Sequence, residues 1–600
     1  MTSGNRIAIV GAGIAGLSSA KVLSREGFPV EVFDRAPDVG GVWSATRRYP
    51  GLRTLNSKYT YRFSDYAMPE DYPRVPDGAQ MQAYLEGYVH QFGLRENLRL
   101  GTEVVAADPV DSGWLLEIRD ETGVHRTSCD HLVVANGVFS EPEMPDYRGA
   151  ETYLARGGQL YHSSEFLDIE QARGKSVLVV GYGQSACDIA EAVSHVAAAT
   201  TVVARRLLWK MPRKLSTGLD FERLFLTRLG EAHFRYHSPR GFERFLHGAG
   251  HSFRDTDFDV LQELATKKLG LRDLDLVPEG RFEEIAQSTA SIATEGFFEQ
   301  VRDGRITVLR DTTVTELSGT PAGCAVWLSD GQVVPADIVV CATGFQQRVP
   351  FLTPYIQRRL TDDDGNFRLY RHILPTEVPN LTFAGYNSSL LGALSAEVGA
   401  HWTAALLRGR LALPSPEERS EQIDTRLQWM SAGTGGHHAH GTTITPFALH
   451  NIDEMLADLK LRLPLGTRLA QWFRPVKPAA YRGLWERGQR PAEPTPPEPP
   501  AEVAPAPAET HPATAEMYPP TAEMHPATAE VRPATAEVRP ATAEVRPATA
   551  EVRPGSAEVH LGSAEVHPGA AGVRPGSAET HPAPAGRYPA GWRDRYPSQR

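Results

Sequence analysis

IAIVGAGIAGLSSA, residues 7–20, decides the fold: a short apolar run, a glycine-rich turn and then a helical pattern. The run at residues 7–10 reads as a buried strand, and Leu17, Ala20 and Leu23 recur at the spacing of one helix face. A second copy of this arrangement, VLVVGYGQSACDIA, occupies residues 177–190. A single G-x-G-x-x-G also arises by chance in glycine-rich turns. Two of them, each between a strand and a helix, imply two dinucleotides held by one chain.

The glycines divide the work. Gly11 permits the tight turn, Gly13 lets the backbone approach a pyrophosphate, and Gly16 allows close packing of helix on strand. The helix start then offers unpaired N–H groups to phosphates. The next strand, residues 30–33, ends at Asp34, at the roughly 20-residue spacing where a carboxylate accepts hydrogen bonds from ribose hydroxyls. The second turn repeats the pattern with Gly181 and Gly183, but its next strand, residues 201–204, ends in Arg205 and Arg206. A carboxylate there would repel a 2′-phosphate, whereas guanidinium groups grip one with paired hydrogen bonds. The pair of turns therefore reads as FAD at the first and NADPH at the second, with hydride passing from nicotinamide to flavin. Ala15, Arg35, Gly41, Trp43 and Val104 are placed with the first cofactor, and Gln184, Ser185 and Ala186 with the second. Thr343 and Gly344 complete the cofactor-binding set.

Composition narrows the class. Six hundred residues suggest several domains, and a formal net charge of −11 points neither to nucleic acid nor to an anionic membrane surface. No apolar run reaches the roughly 18 residues of a membrane helix, so no transmembrane segment is expected. The first strand begins almost at once, which leaves no room for a signal peptide and favours a cytoplasmic setting. Cys129, Cys187, Cys324 and Cys341 are scattered, without the C-x-x-C pairs of dithiol or zinc chemistry.

The fold class is α/β: two Rossmann-like dinucleotide-binding domains, one inserted in the other. The expected FAD domain comprises residues 1–152 and 334–488, with the apolar stretches at residues 337–345 and 380–385 returning the chain to it. The expected NADPH domain comprises residues 153–333, with a helical insertion at about 216–276 that either shapes a substrate cavity or only covers the sheet. Residues 489–600 form a tail of another kind. From Pro505 to Pro589 a proline recurs every seven residues, broken only at Leu561, in units such as ATAEVRP. Proline in alternate turns forbids a coiled coil, and the unit has too little apolar surface to offset ordering, so disorder is expected. A partner-recruiting role for it is an alternative to a neutral, solvated extension.

These motifs together resemble the flavin-containing monooxygenases and their Baeyer–Villiger relatives, the class B flavoprotein monooxygenases. The resemblance runs through about the first 485 residues. GAGIAG with Asp34 and GGVW (residues 40–43) look like the family's FAD segment, and YPGLRTLNSKYTYRFSDYAMP (49–69) resembles the stretch lining the flavin's reactive face. GYGQSACDIA and RRLLWKMPR (205–213) are similar to the NADPH segments, CATGF (341–345) to the link between domains, and NLTFAG (380–385) with Glu397 and Trp402 to the closing flavin segment. The fingerprint F-x-G-x-x-x-H is imperfect: Gly158 and His162 are in register, but Arg156 replaces the aromatic residue and Phe166 ends the segment where Baeyer–Villiger enzymes have tryptophan followed by proline or aspartate. That departure disfavours ketone chemistry. His162 reads as a hinge residue rather than a base.

The resemblance implies that NADPH reduces FAD, that O2 adds at flavin C4a as a (hydro)peroxyflavin, and that a small organic substrate is oxygenated at nitrogen, sulfur or a ketone. It sets Asn56 beside C4a as the catalytic polar side chain, with its amide donating to the developing peroxide; the alternative is an ordinary loop asparagine. Competing functions are an uncoupled NADPH:flavin oxidase or reductase, and a scaffold with vestigial flavin binding. HHAH (437–440) lacks accompanying carboxylates or thiols and is not expected to hold a metal. The aromatic set Trp209, Phe221, Phe225, Phe234 and Tyr236 is expected to pack rather than to meet substrate.

Overall fold

The strand Ile7–Val10 has parallel partners on both sides, Val30–Asp34 and His131–Val134, which explains why all four of its residues are buried. Leu98–Leu100 and Leu381–Phe383 complete this five-stranded parallel sheet at its two edges. A second parallel sheet has the order Ile306–Arg310, Ala199–Ala204, Ser176–Val180, Ile338–Cys341, Gln159–His162. In this computed structural model the described residues are 5–488, apart from 217–218, 288–290, 322 and 435–445. HHAH and the repeat tail lie outside them. None of the helices among the described residues is long and apolar enough to cross a membrane.

The mixed α/β fold with parallel sheets follows the sequence reading, with one correction. Ile338–Cys341 does not return the chain to the first sheet. It pairs with Ser176–Val180 on one side and Gln159–His162 on the other, in the middle of the second sheet. Of the two stretches expected to return, only the later one does, at Leu381–Phe383. The reason is a repeated topology. In each sheet an edge strand is followed by a three-stranded antiparallel meander, at residues 103–129 in the first half and 314–335 in the second, and the chain then re-enters the same sheet. HLVVANG (131–137) and IVVCATG (338–344) occupy equivalent places.

Both crossings between the sheets run side by side. Glu141–Pro142 leaves the first sheet, Phe345–Gln346 comes back, and the two form a short antiparallel pair. The helix Ile14–Arg25 packs on Gly392–Leu407, and between them Lys21 pairs with Asp65 at 3.0 Å and Glu397 at 3.2 Å. Glu397 is fully buried and accepts further bonds from the Ser64 N–H and hydroxyl, so its charge is compensated from three directions.

The expected helical insertion is built of the short helices Phe221–Phe225, Arg228–Ala232 and Phe242–Leu246 and the long His251–Leu269. Trp209, Phe221, Phe225, Phe234 and Tyr236 are all buried in one apolar cluster that continues into Ala448–Asp458. They pack a seam rather than line an open face.

Candidate functional site

At the end of Ile7–Val10 the backbone turns through Gly11 with φ +118°, where a Cβ would lie 2.2 Å from the Ala135 carbonyl oxygen. Gly16 is still tighter: its Cβ would stand 1.8 Å from the oxygen of Gly11. These two glycines let the helix sit against the sheet. Gly13 is different, because a Cβ there meets no protein atom closer than 3.5 Å, yet the residue borders a cleft of about 660 Å³. No side chain caps the helix that Gly13 begins, so its first N–H groups are left for a ligand. This cradle, sized for backbone approach and supplied with free donors, fits a pyrophosphate.

Asp34 borders the same cleft. Its Oδ2 accepts from the Ala12 N–H at 2.6 Å and its Oδ1 from the Ala36 N–H at 2.8 Å. Burial pushes its carboxyl up, against the pull of these two N–H groups and of Arg35 and Arg47. Each oxygen keeps a second acceptor direction, so a ribose hydroxyl can still be met. Of the residues read from sequence, Gly11, Gly13, Ala15, Asp34, Arg35, Gly41, Trp43 and Val104 line this cleft, whereas Gly16 lies behind it. The sequence reading missed Arg47, Asn136 and Asn387, which also line it, as does Tyr61 from the stretch 49–69. Arg47 donates to the Phe139 carbonyl, and Asn136 accepts from the Tyr386 hydroxyl at 2.9 Å. Asn136 carried a readable signal, since A-N-G after a strand parallels A-T-G at residues 342–344.

The second turn repeats the first in detail. Gly181 has φ +119°, and a Cβ would lie 2.6 Å from the Ala342 oxygen, the counterpart of Ala135. Gly183 has open space around it and begins an equally uncapped helix, Gln184–Val193. Gln184 is turned inward instead: its amide donates to Asp188 at 2.9 Å and accepts from the Ile292 N–H at 3.1 Å. Ser185 hydrogen-bonds the Tyr49 hydroxyl, and Ala186 is fully buried in the helix–sheet packing. Arg205 and Arg206 project exposed from the end of Ala199–Ala204 and form no ion pair among the described residues. Arg206 borders a smaller cleft of about 240 Å³ with Trp209 and Arg310.

Thr343 and Gly344 stand at the crossing, not in the wall of the first cleft. The Thr343 hydroxyl donates to the Glu143 carbonyl at 2.5 Å, and the Gly344 carbonyl accepts from His162 Nε2 at 2.9 Å. His162 Nδ1 takes the Ser164 N–H at 3.2 Å. Burial lowers the histidine to about 4, so it stays neutral and pins the crossing.

Asn56 is also not in that wall. It is buried at 1% exposure in a strip held by groups from the second half of the molecule. Asp188 accepts from the Tyr49 hydroxyl at 3.3 Å, Arg213 donates to the carbonyls of Leu55 (2.5 Å) and Thr54 (3.1 Å), and Glu222 accepts the Ser57 N–H at 2.6 Å. The Asn56 amide nitrogen, expected to face the reaction, instead donates to Thr60 Oγ1 at 2.8 Å. Its Oδ1 is buried without a partner among the described residues, as are the hydroxyls of Thr54 and Ser57.

A family model described as flavin-binding monooxygenase-like matches residues 4–248 and 283–461. The chain belongs to this family. Flavin-containing monooxygenase 1 of Rattus norvegicus is 26% identical over 519 residues, covering 81% of this chain and 91% of the relative. Among solved structures, ε-caprolactone-bound cyclohexanone monooxygenase shares the fold with a TM-score of 0.58 at 18% identity, covering 76% of this chain and 98% of that one. OTEMO, in complex with FAD and NADP, has a TM-score of 0.52 at 19% identity over 68% of this chain and 84% of its own. The flavin-binding monooxygenase-like chain is thus an oxidoreductase, and FAD and NADPH are its cofactors.

Proposed function

We propose that this flavin monooxygenase uses NADPH and O2 to oxygenate a small organic substrate, at nitrogen or sulfur in preference to a ketone. The observation that carries the reading is the pair of matching glycine turns, each with an uncapped helix start, that differ at the next strand end: Asp34 in one, Arg205 and Arg206 in the other. In this assignment Gly11, Gly13, Asp34 and the lining Arg35, Gly41, Trp43 and Val104 hold FAD. Gly181, Gly183 and Ser185 hold the NADPH pyrophosphate, and Arg205 and Arg206 its 2′-phosphate. The FAD unit then spans residues 1–152 and about 343–488, and the NADPH unit residues 153–342. Bound flavin supplies the chemistry, accepting hydride from NADPH and activating O2 once reduced.

The chain's own share is binding, orientation and exclusion of water. Arg213, Asp188 and Glu222 fasten the strip carrying Asn56 to the nucleotide half, so Asn56 is held as a fixed, buried polar group. The preference for heteroatoms rests on Arg156, exposed where the ketone-oxidising pattern has an aromatic side chain, and on Phe166 in the place of that pattern's tryptophan.

The experiment is product analysis under ¹⁸O2 with an amine, a thioether and a ketone, alongside peroxide yield per NADPH consumed. One labelled oxygen in the amine or thioether product is expected, with reduced peroxide. If peroxide accounts for all NADPH with every class, the uncoupled oxidase replaces this function. If only the ketone gains oxygen, as its cyclohexanone-oxidising neighbour is named for, the substrate preference falls.

A further inference from the structure

Glu222 lies on the short helix Phe221–Phe225, within the segment that sequence reading left without a chemical role. Its side chain is buried at 6% exposure, and both carboxylate oxygens are engaged. Oε1 accepts from the Ser57 N–H at 2.6 Å and from the Thr60 hydroxyl at 2.8 Å, while Oε2 accepts from Arg74 at 2.7 Å. The Thr60 hydroxyl has a single proton. That proton goes to Glu222 rather than to the more distant Ser57 carbonyl at 3.2 Å, because Oγ1 and the carboxylate oxygen 2.8 Å apart cannot face each other as two acceptors, and none is left for Asn56. Thr60 Oγ1 can therefore only accept from Asn56, which must turn its NH2 toward Thr60. The carboxylate thus dictates, two bonds away, which end of the amide is presented.

We infer that Glu222 is a positioning residue, acting through Thr60 to hold the Asn56 amide with Oδ1 as the acceptor that awaits a hydrogen-bond donor brought by a cofactor. The inference rests on the reading of Asn56 as part of the reaction site. Two facts support a waiting donor. Oδ1 is one of three partnerless polar atoms within residues 54–57, an unusual concentration in a buried stretch. Tyr61, following Thr60, lines the flavin cleft. The donors that chemistry supplies there are the carboxamide of the nicotinamide and a protonated ring nitrogen of the reduced flavin.

The test uses FAD-loaded holoenzyme and reads two quantities other than turnover: the NADP⁺ dissociation constant by calorimetry, and the flavin midpoint potential without nucleotide. Asn56→Ala is the reference. Thr60→Val removes the acceptor while keeping the shape, Glu222→Gln lets Thr60 surrender its proton elsewhere, and Thr60→Ser keeps the relay. We expect Thr60→Val and Glu222→Gln to reproduce the effect of Asn56→Ala, a loss of about five- to tenfold in NADP⁺ affinity or an equivalent shift in potential. Thr60→Ser should stay near the parent, and Thr60→Val should add nothing in an Asn56→Ala background.

A change confined to NADP⁺ affinity assigns the donor to the nicotinamide nucleotide; a change in potential without nucleotide assigns it to the flavin. If Asn56→Ala moves either quantity while Thr60→Val or a folded Glu222→Gln does not, or if the effects of Asn56→Ala and Thr60→Val add, the Glu222 relay is overturned and the reading of Asn56 stands. If Asn56→Ala moves neither, Asn56 leaves the reaction site and the relay goes with it. Glu222 also secures Ser57 and Arg74, so Thr60→Val decides the matter if Glu222→Gln folds poorly.

Discussion

Gly13 and Gly16 lie three residues apart in one turn, yet their substitution should fail in opposite ways. Gly13 has extended dihedrals, φ −81° and ψ −171°, and a Cβ in ordinary contact with its surroundings, so the protein itself accommodates a side chain. Gly13→Val should purify folded but without flavin, seen as native far-UV circular dichroism and a low flavin-to-protein absorbance ratio. Gly16→Val would drive carbon into a backbone oxygen and should not yield folded protein. Stoichiometric FAD in the first variant would show that the cleft is not the flavin's. Arg205 and Arg206 should set the preference for NADPH. Hydrogen bonds to charged groups are worth roughly 1.5–3 kcal/mol, so loss of either should weaken NADPH about ten- to a hundredfold. NADH binding, measured in parallel, should hardly change; an equal loss of both would indicate a folding defect. These positions were legible because their constraints are local: a turn, a helix start, the last residue of a strand. Arg47 and Asn387 were not, since they reach the cleft from loops far apart in sequence.

Elements were legible as elements but not always as neighbours. An apolar run such as Ile338–Cys341 announces a strand, while its sheet depends on register with Ser176–Val180 and Gln159–His162, which local sequence does not carry. The likeness of IVVCATG to HLVVANG was the available clue, because equal places in a repeated topology imply separate sheets. The seam between the helical insertion and Ala448–Asp458 was equally hidden. There Glu231 caps the helix by accepting the N–H groups of Leu449 and His450, and His450 is further held between Glu231 at 2.5 Å and Glu243 at 3.1 Å. Burial works against the imidazolium, but the two carboxylates outweigh it and raise His450 to about 10. A histidine raised above its unfolded value of about 6.5 stabilises fully below that pH and loses its contribution as pH climbs toward the folded value. The melting temperature should therefore fall between about pH 6.5 and 10, and His450→Gln should flatten that part of the profile. Parallel curves for the two proteins would mean that the seam does not depend on the charged histidine.

Across the whole molecule, two copies of one topology are tied by the strip at residues 49–60, whose anchors Asp188, Arg213 and Glu222 all come from the second half. The body also closes its own core near the end of the described chain. Tyr481 is fully buried, and Trp485 stacks on His401 with ring centroids 4.0 Å apart while donating toward Ser64 at 3.4 Å. Ser64 in turn bonds Glu397, so this tryptophan secures the buried charges between Ile14–Arg25 and Gly392–Leu407. The repeats that follow offer one valine or methionine in most units, too little apolar side chain to contribute to a core. Two truncations then separate sharply. Ending the chain after Arg490 should leave flavin content, melting temperature and NADPH oxidation as in the full chain. Ending it after Arg474 removes Tyr481 and Trp485, and should lower the melting temperature by many degrees and release FAD, since burial of two such side chains and a compensated charge cluster is lost. A large loss from the shorter deletion would mean that the repeats dock on the body and contribute to it.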